Sequence, residues 1–277
     1  MTHRWIHARV SAPHGTGSGG ITRPEPPESL LELVRDMRAA DGRSRWFLHW
    51  TELGKNPEIG LWASSTQPVL REVESRLLKE VSPYGNAPVV EELREPVPHH
   101  PLACDIEFHD DVAMASSELA LAVAREPVAP YDAQLILTIW HLRHVVALIP
   151  EAARKGFLFQ CWQHWTEGLT PAQRTELRDR GGPAAGALAE GLPAMSGETA
   201  RRWDDYLRAL RRTANSWAAE GAPVNYLLFD HAHLTHRRLR IPAVTEALAA
   251  RTVRAVLGAS GADTQPIAVP AAGLQTA

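Results

Sequence analysis

Cysteine is scarce: the chain has two, Cys104 and Cys161, far apart and in no Cys-x-x-Cys pattern. That spacing argues against a disulfide framework or a cysteine-ligated zinc. Lysine is almost as rare, since Lys55, Lys79 and Lys155 are the only ones among 29 basic residues. The net charge is −3, so no general electrostatic attraction draws the protein to nucleic acid or to a membrane surface. No apolar run reaches the roughly 18–20 residues that a membrane span needs. Met1 to Val10 carries arginine and histidine where a signal peptide would keep an apolar core. The expectation is a soluble, cytoplasmic protein. There is no Walker loop, GxGxxG fingerprint, GxSxG elbow or HExxH helix, which removes the most easily read enzyme classes.

What is present is a 277-residue chain, 44% hydrophobic, with ample material for a core but too short for two large domains. Trp5 to Val10 alternates, with Ile6, Ala8 and Val10 on one face, and predicts a strand. After the glycine- and proline-rich stretch Pro13 to Pro27, Ser29 opens a helix with Leu30, Val34 and Met37 on one side. Arg45 to Trp50 and Ile59 to Ala63 predict two more strands, and Pro68 begins a helix with Leu70, Val73 and Leu77 at core spacing. The order β-α-β-β-α is most of a ferredoxin-like unit, which a strand near Cys104 to His109 would complete.

From Met114 the pattern is helical. Asp132 caps a helix to about Ile149, and Gly156 to Leu169 and Pro171 to Arg180 predict two more. Ser196 starts a long one with a stripe of Trp203, Leu207, Leu210, Ala214 and Trp217. Pro223 opens another, ended by Pro242, before a last helix from Ala243 to Leu257. The expected class is α+β, with a sheet unit over 1–112, a helical catalytic body over 113–257 and a disordered tail over 258–277, in one compact module.

The richest segment runs from Asn225 to Leu239, NYLLFDHAHLTHRRL. At about 100° per residue, Tyr226, Asp230, His233 and Arg237 occupy one stripe about 60° wide. A carboxylate one turn from an imidazole can orient it and raise its basicity, and an arginine beyond supplies fixed positive charge. The alternative is a surface stripe with ordinary i,i+3 and i,i+4 contacts. His231, His233 and His236 lie at about 140°, −20° and 280° around the helix, so the three do not converge on a metal. Elsewhere His141 could line a cleft, as could Trp162, His164 and Trp165, which suit a flat heteroaromatic substrate. His49 and Trp50 end a strand where they could reach a cleft at the sheet edge. Arg201, Arg202, Arg208, Arg211 and Arg212 read as a solvated face or a receiver for an acidic peptide.

Three of these segments resemble one family. NYLLFDHAHLTHRRLRIP followed by Glu246 resembles the His-x-x-x-Asn-Arg-Leu-Gly-Ile signature of lantibiotic dehydratase C-terminal (elimination) domains. KGFLFQCWQHWTEGL is similar to the Gly-Phe-x-Ser-x-x-Ser-His-x-Glu-x-Phe-Leu segment of stand-alone thiopeptide pyridine synthases. RWFLHW followed by EIGLWA resembles their Trp-x-x-Arg-His-Trp strand and hairpin. His233 falls on a histidine implicated in proton transfer, His164 on the family histidine and Arg238 on the signature arginine, while Arg237 replaces its asparagine. Leu48 stands for the arginine before His-Trp, and Gln163 for the serine before His164. The family's Gly-Pro-His is not present.

The resemblance implies a ferredoxin-like sheet with a helical body, no cofactor and no metal. It implies a leader-bearing precursor peptide with a dehydrated, azole-bearing core as partner, with other pathway enzymes beside it. The expected reaction is a formal [4+2] cycloaddition joining two dehydroalanines into a macrocyclic pyridine. In it His233 shuttles protons, Asp230 orients it, Tyr226 or His164 is a second donor, and Arg237 or Arg238 polarises the amide oxygen. The alternatives are elimination of glutamate from glutamylated serine or threonine, and a non-catalytic precursor-binding subunit.

Overall fold

The computed structural model describes residues 3–11, 28–53, 56–81, 89–93, 111–126, 131–180, 195–221 and 223–259. Its backbone contacts divide the chain into two units, one of Met1–Arg125 with Arg237–Leu239, the other of Glu126–His236 with Arg240–Ala277. The class is α+β. No described helix is long and apolar enough to cross a membrane. Of the expected disordered tail over 258–277, residues 258 and 259 belong to the last helix, and 260–277, like the cysteine at 104, lie outside the described residues.

The first unit contains β1 (His3–Ser11), α1 (Glu28–Ala40), β2 (Arg45–Leu53), β3 (Asn56–Thr66), α2 (Gln67–Arg76), β4 (Val89–Leu93) and α3 (Asp111–Ala124). The four strands form one sheet in the order β2-β3-β1-β4, antiparallel at every join. Strand alternation decides what is buried. Ile6, Ala8 and Val10 of β1, Trp46, Leu48 and Trp50 of β2, and Ile59, Leu61 and Ala63 of β3 pack in one core with Leu30, Leu33, Val34 and Met37 of α1 and Leu70 and Val73 of α2. Trp50, expected to reach a cleft, is therefore a core residue, because period-two alternation turns it to the same side as Leu48.

The fourth described strand is Val89–Leu93, paired with β1; the stretch near Cys104 to His109, expected to complete the sheet, lies outside the described residues. Glu91 and Glu92 give this edge strand a polar sequence that hides it from a hydrophobic pattern. The opposite edge is closed by side chains. Leu48 N–H donates to Ser117 Oγ on α3 at 3.1 Å, and Arg238 Nε donates to the Leu48 carbonyl at 2.9 Å.

The second unit is helical: α4 (Tyr131–Ala147), α5 (Glu151–Glu167), α6 (Pro171–Asp179), α7 (Gly197–Ala219), α8 (Val224–Arg238) and α9 (Ala243–Ala259). α5 begins five residues before the expected Gly156, just after Pro150 at its N-cap, and carries Gly156 in its interior. α7 is capped by Ser196, whose hydroxyl accepts from Thr199 N–H, and buries the anticipated Trp203, Leu207, Leu210 and Ala214 together with Tyr206. Of the arginine cluster, Arg201 and Arg202 pair with Glu198, and Arg208 with Asp205, on the outer side of α7. α9 packs against α4, α5 and α6. Its fully buried Ala247, Ala249 and Ala250 let those helices approach closely. α8 ends with Arg240 in the left-handed region (φ 57°), while Ile241 N–H donates back to the His236 carbonyl at 2.9 Å, a Schellman-type closure.

Candidate functional site

The candidate site lies in the second unit, where α8 meets α9 and α4. His233 on α8 is one-third exposed, its side chain at 32%, and its Nδ1 lies 3.0 Å from Oε1 of Glu246 on α9, whose side chain is 2% exposed. The carboxylate that orients His233 is thus Glu246 and not Asp230 on its own helix. The packing of α8 on α9 brings it there.

Behind His233 the polar groups continue inward. His236 Nδ1 lies 2.9 Å from the same Glu246 oxygen, and His236 Nε2 lies 2.8 Å from His141 Nδ1 on α4. His141 Nε2 is 2.8 Å from the Tyr206 hydroxyl on α7, which accepts from Thr235 Oγ1 at 3.2 Å. His141, His236, Tyr206 and Thr235 are fully buried. His141 consequently cannot line a cleft, as its sequence position suggested; it is an interior member of a hydrogen-bonded chain. Burial would raise the Glu246 carboxyl, but hydrogen bonds from His233 and His236, and the electrostatic interaction with those two rings, hold it below its ordinary value. Burial, then the charges of His236 and His144, push His141 well below the usual imidazole range.

Aromatic rings border the outer end. Trp165 on α5 lies nearly parallel to His233, 6.2 Å between centroids, and to Phe229, 5.9 Å away, and His164 meets Phe229 edge-on at 5.2 Å. Trp165 is buried, whereas His164 is exposed, 3.8 Å from Glu167. The other expected residues are dispersed. Trp162 packs with Phe159, Tyr226 is 39% exposed, and Asp230 is half-buried on α8. His231 stacks on Trp217, away from its two neighbours.

His49, Arg237 and Arg238 belong to the first unit. His49 stacks with His7 and lies over Gly60, and burial, then His7, Arg238 and Arg237, push it down to about 4. Arg237 is exposed. Arg238 is buried, donating to the Leu48 carbonyl and to Ser116 Oγ, with its guanidinium 5.7 Å from the Phe47 ring centre. Among the described residues no three histidine, cysteine or acidic side chains are arranged to hold a metal ion.

Chemically, a carboxylate on Nδ1 leaves the Nε2 of His233 as the ring's outer nitrogen. A proton taken there is balanced by the charge of Glu246, which suits an acid–base group. Sequence reasoning found His233 but gave Glu246 no role. The available signal was its presence just after the helix-ending Ile241-Pro242, where the family resemblance ended.

No protein-family model and no curated protein sequence matches the chain. Its fold does match solved structures. Over 93% of its length it superposes on the tRNA-dependent lantibiotic dehydratase MibB from Microbispora sp. 107891, at TM-score 0.59 and 14% identity, spanning 28% of that protein. Over 92% it superposes on TbtD, the pyridine synthase of thiomuracin biosynthesis, at TM-score 0.54 and 16% identity, spanning 99% of that chain. TsrL is similar over 92% at TM-score 0.54 and 13% identity, with 98% of its own chain covered. These are the fold relatives to which the sequence resemblance points.

Proposed function

We propose that the chain is a peptide-modifying enzyme that forms a pyridine ring within a dehydrated, azole-bearing precursor peptide. The observation that carries this is the partly exposed His233, tied through Nδ1 to buried Glu246 beside Trp165. The fold likeness to a pyridine synthase across nearly all of that protein and the motif resemblance in Gly156 to Leu169 support it. The β-α-β-β-α order of the first unit, read from the sequence as most of a ferredoxin-like unit, is in keeping with the same proposal.

One amide shifts its N–H proton to oxygen, giving an iminol that is part of a 2-azadiene. The second dehydroalanine adds across it, forming two ring bonds. Loss of water and then of the leader as a carboxamide makes the ring aromatic, with no net change in oxidation state. The tautomerisation and both eliminations move protons. His233 Nε2 shuttles them, Glu246 stabilises the imidazolium, and His164 or Tyr226 is the second donor. Asp230 lies on the same helix without that orienting role. Arg238 is committed to Leu48 and Ser116 within the first unit. Alignment of the two alkenes supplies the larger share of the acceleration, up to roughly 7–11 kcal/mol, and acid–base catalysis about 10²- to 10⁴-fold. Phe229, partly exposed and backed by the buried Trp165, offers a flat surface for an azole ring, whereas Trp162 is part of the packing around Phe159. On this reading the protein works in the cytoplasm beside the enzymes that dehydrate the peptide.

Incubation with a dehydrated, azole-bearing precursor is expected to yield a macrocycle and free leader amide by mass spectrometry. The fold agreement with MibB favours a second reading, elimination of glutamate from glutamylated serine or threonine. Release of free glutamate from such a peptide, with no macrocycle from the dehydrated one, would establish that reading instead. Binding of the precursor with neither product would mark a non-catalytic subunit.

A further inference from the structure

Hydrogen-bond accounting along the buried chain limits where protons sit. An ionised carboxylate only accepts, so His233 and His236 both donate from Nδ1 to Oε1 of Glu246. His236 Nε2 then either accepts from His141 Nδ1–H or, as an imidazolium, donates to it across the same 2.8 Å.

Two wirings follow, differing by one proton. In the first, Tyr206 O–H donates to His141 Nε2, His141 donates to His236, and His236 donates to Glu246. All three imidazoles are neutral, and Thr235 donates to the Tyr206 oxygen. In the second, His236 is a cation, His141 is reversed, and the Tyr206 oxygen receives both His141 and Thr235 while its own proton must find another acceptor. That places a full charge on a ring with no exposed surface. It also neutralises Glu246 from the inside, through the one oxygen His233 uses. The groups facing this chain are His144, which opposes charge on His141, Cys161, whose thiol feels the Glu246 carboxylate, and the rings of Trp165 and Trp203.

We propose that His141, oriented by Tyr206, holds His236 neutral and thereby reserves the charge of Glu246 for His233. His141, Tyr206 and His236 are positioning residues. The inference rests on His233 being the acid–base group proposed above.

The test uses the full chain labelled with 15N, and reads each ring nitrogen from long-range proton–nitrogen spectra. In the wild type, His141 and His236 should each carry one ring proton, on Nδ1, at neutral pH. Of His141, His233 and His236, His233 should be the first to gain a second proton on acidification. His141→Gln offers an amide oxygen as readily as an amide N–H, so His236 should become doubly protonated. Turnover of the dehydrated peptide should then fall about tenfold or more in kcat with KM held. Tyr206→Phe removes the hydroxyl that orients His141, so the single ring proton of His141 should no longer be confined to Nδ1. A doubly protonated His236 in the wild type at neutral pH overturns the proposal. So does a folded His141→Gln variant in which His236 keeps a single proton. Should His141→Gln not fold, the wild-type spectrum alone decides. A wild-type protein inactive on the peptide but carrying the expected ring protons would refute the functional reading and leave the wiring intact.

Discussion

His233 and His236, three residues apart on one helix, meet a single oxygen of Glu246 at 3.0 and 2.9 Å, one ring partly exposed and the other wholly buried. The 60° that separates them around the helix is small enough for one carboxylate on a neighbouring helix to serve both. The same arrangement gives an accessible imidazole a counter-charge that water cannot reach.

Glu246→Ala should therefore damage both fold and activity. It leaves the buried Nδ1–H of His236 and the partly exposed Nδ1–H of His233 without their acceptor, and a loss of about 1–3 kcal/mol is expected from urea unfolding. Glu246→Gln keeps an acceptor oxygen but removes the charge. Stability should suffer less, while kcat on the dehydrated peptide falls by about 10²-fold or more. Equal activity of Glu246→Gln and wild type would show that the charge has no catalytic part.

Stability should fall as the solution is acidified. His49 and His144 are both lowered from 6.5 to about 4 in the folded chain, first by burial. Between those values the unfolded chain binds protons that the folded chain does not, so their contribution is complete above 6.5 and is lost as pH drops toward about 4. His141, also lowered, acts in the same direction, and Glu246 adds to the loss at lower pH, below its ordinary 4.5. Urea midpoints measured from neutral pH down to about 4 should decline, and His49→Gln should decline less steeply. A flat profile would contradict the burial of these rings.

Gly60→Ala tests the packing of His49. A Cβ there would lie 2.4 Å from His49 Cε1, so the imidazole must leave its seat over the strand. The expected cost is about 1–3 kcal/mol, read as a lower Tm, together with a His49 titration that moves back toward 6.5.

Arg240 holds a backbone conformation that suits glycine (φ 57°). Arg240→Gly and Arg240→Ala both remove the guanidinium, so comparing them isolates the backbone. The glycine variant should be more stable by about 1 kcal/mol in urea unfolding, and parity between the two would mean that the turn carries no strain.

Much of this protein is legible in local patterns. The faces of β1 and α1, the buried stripe of α7 and its Ser196 cap follow from alternation, helical periodicity and capping chemistry, which depend on near neighbours alone. Those same rules mislead where a position's environment is set from afar. Trp50 closes a strand and His141 is a polar residue on a helix, positions compatible with a cleft, yet one belongs to the sheet core and the other to the interior of the helical unit. The strand Val89–Leu93 was hidden by its two glutamates.

The amino-acid order by itself determined that His233 stands on a helix with an acid–base stripe, since 3.6 residues per turn is a property of the backbone. Only tertiary structure decided which carboxylate answers it. Asp230 was the nearer in sequence, but Glu246 arrives from the next helix, 13 residues away. With it comes a buried line of donors, from α4 and α7, that sequence spacing does not contain. Hydrogen bonds of that kind are fixed by helix-to-helix packing, which no local period encodes.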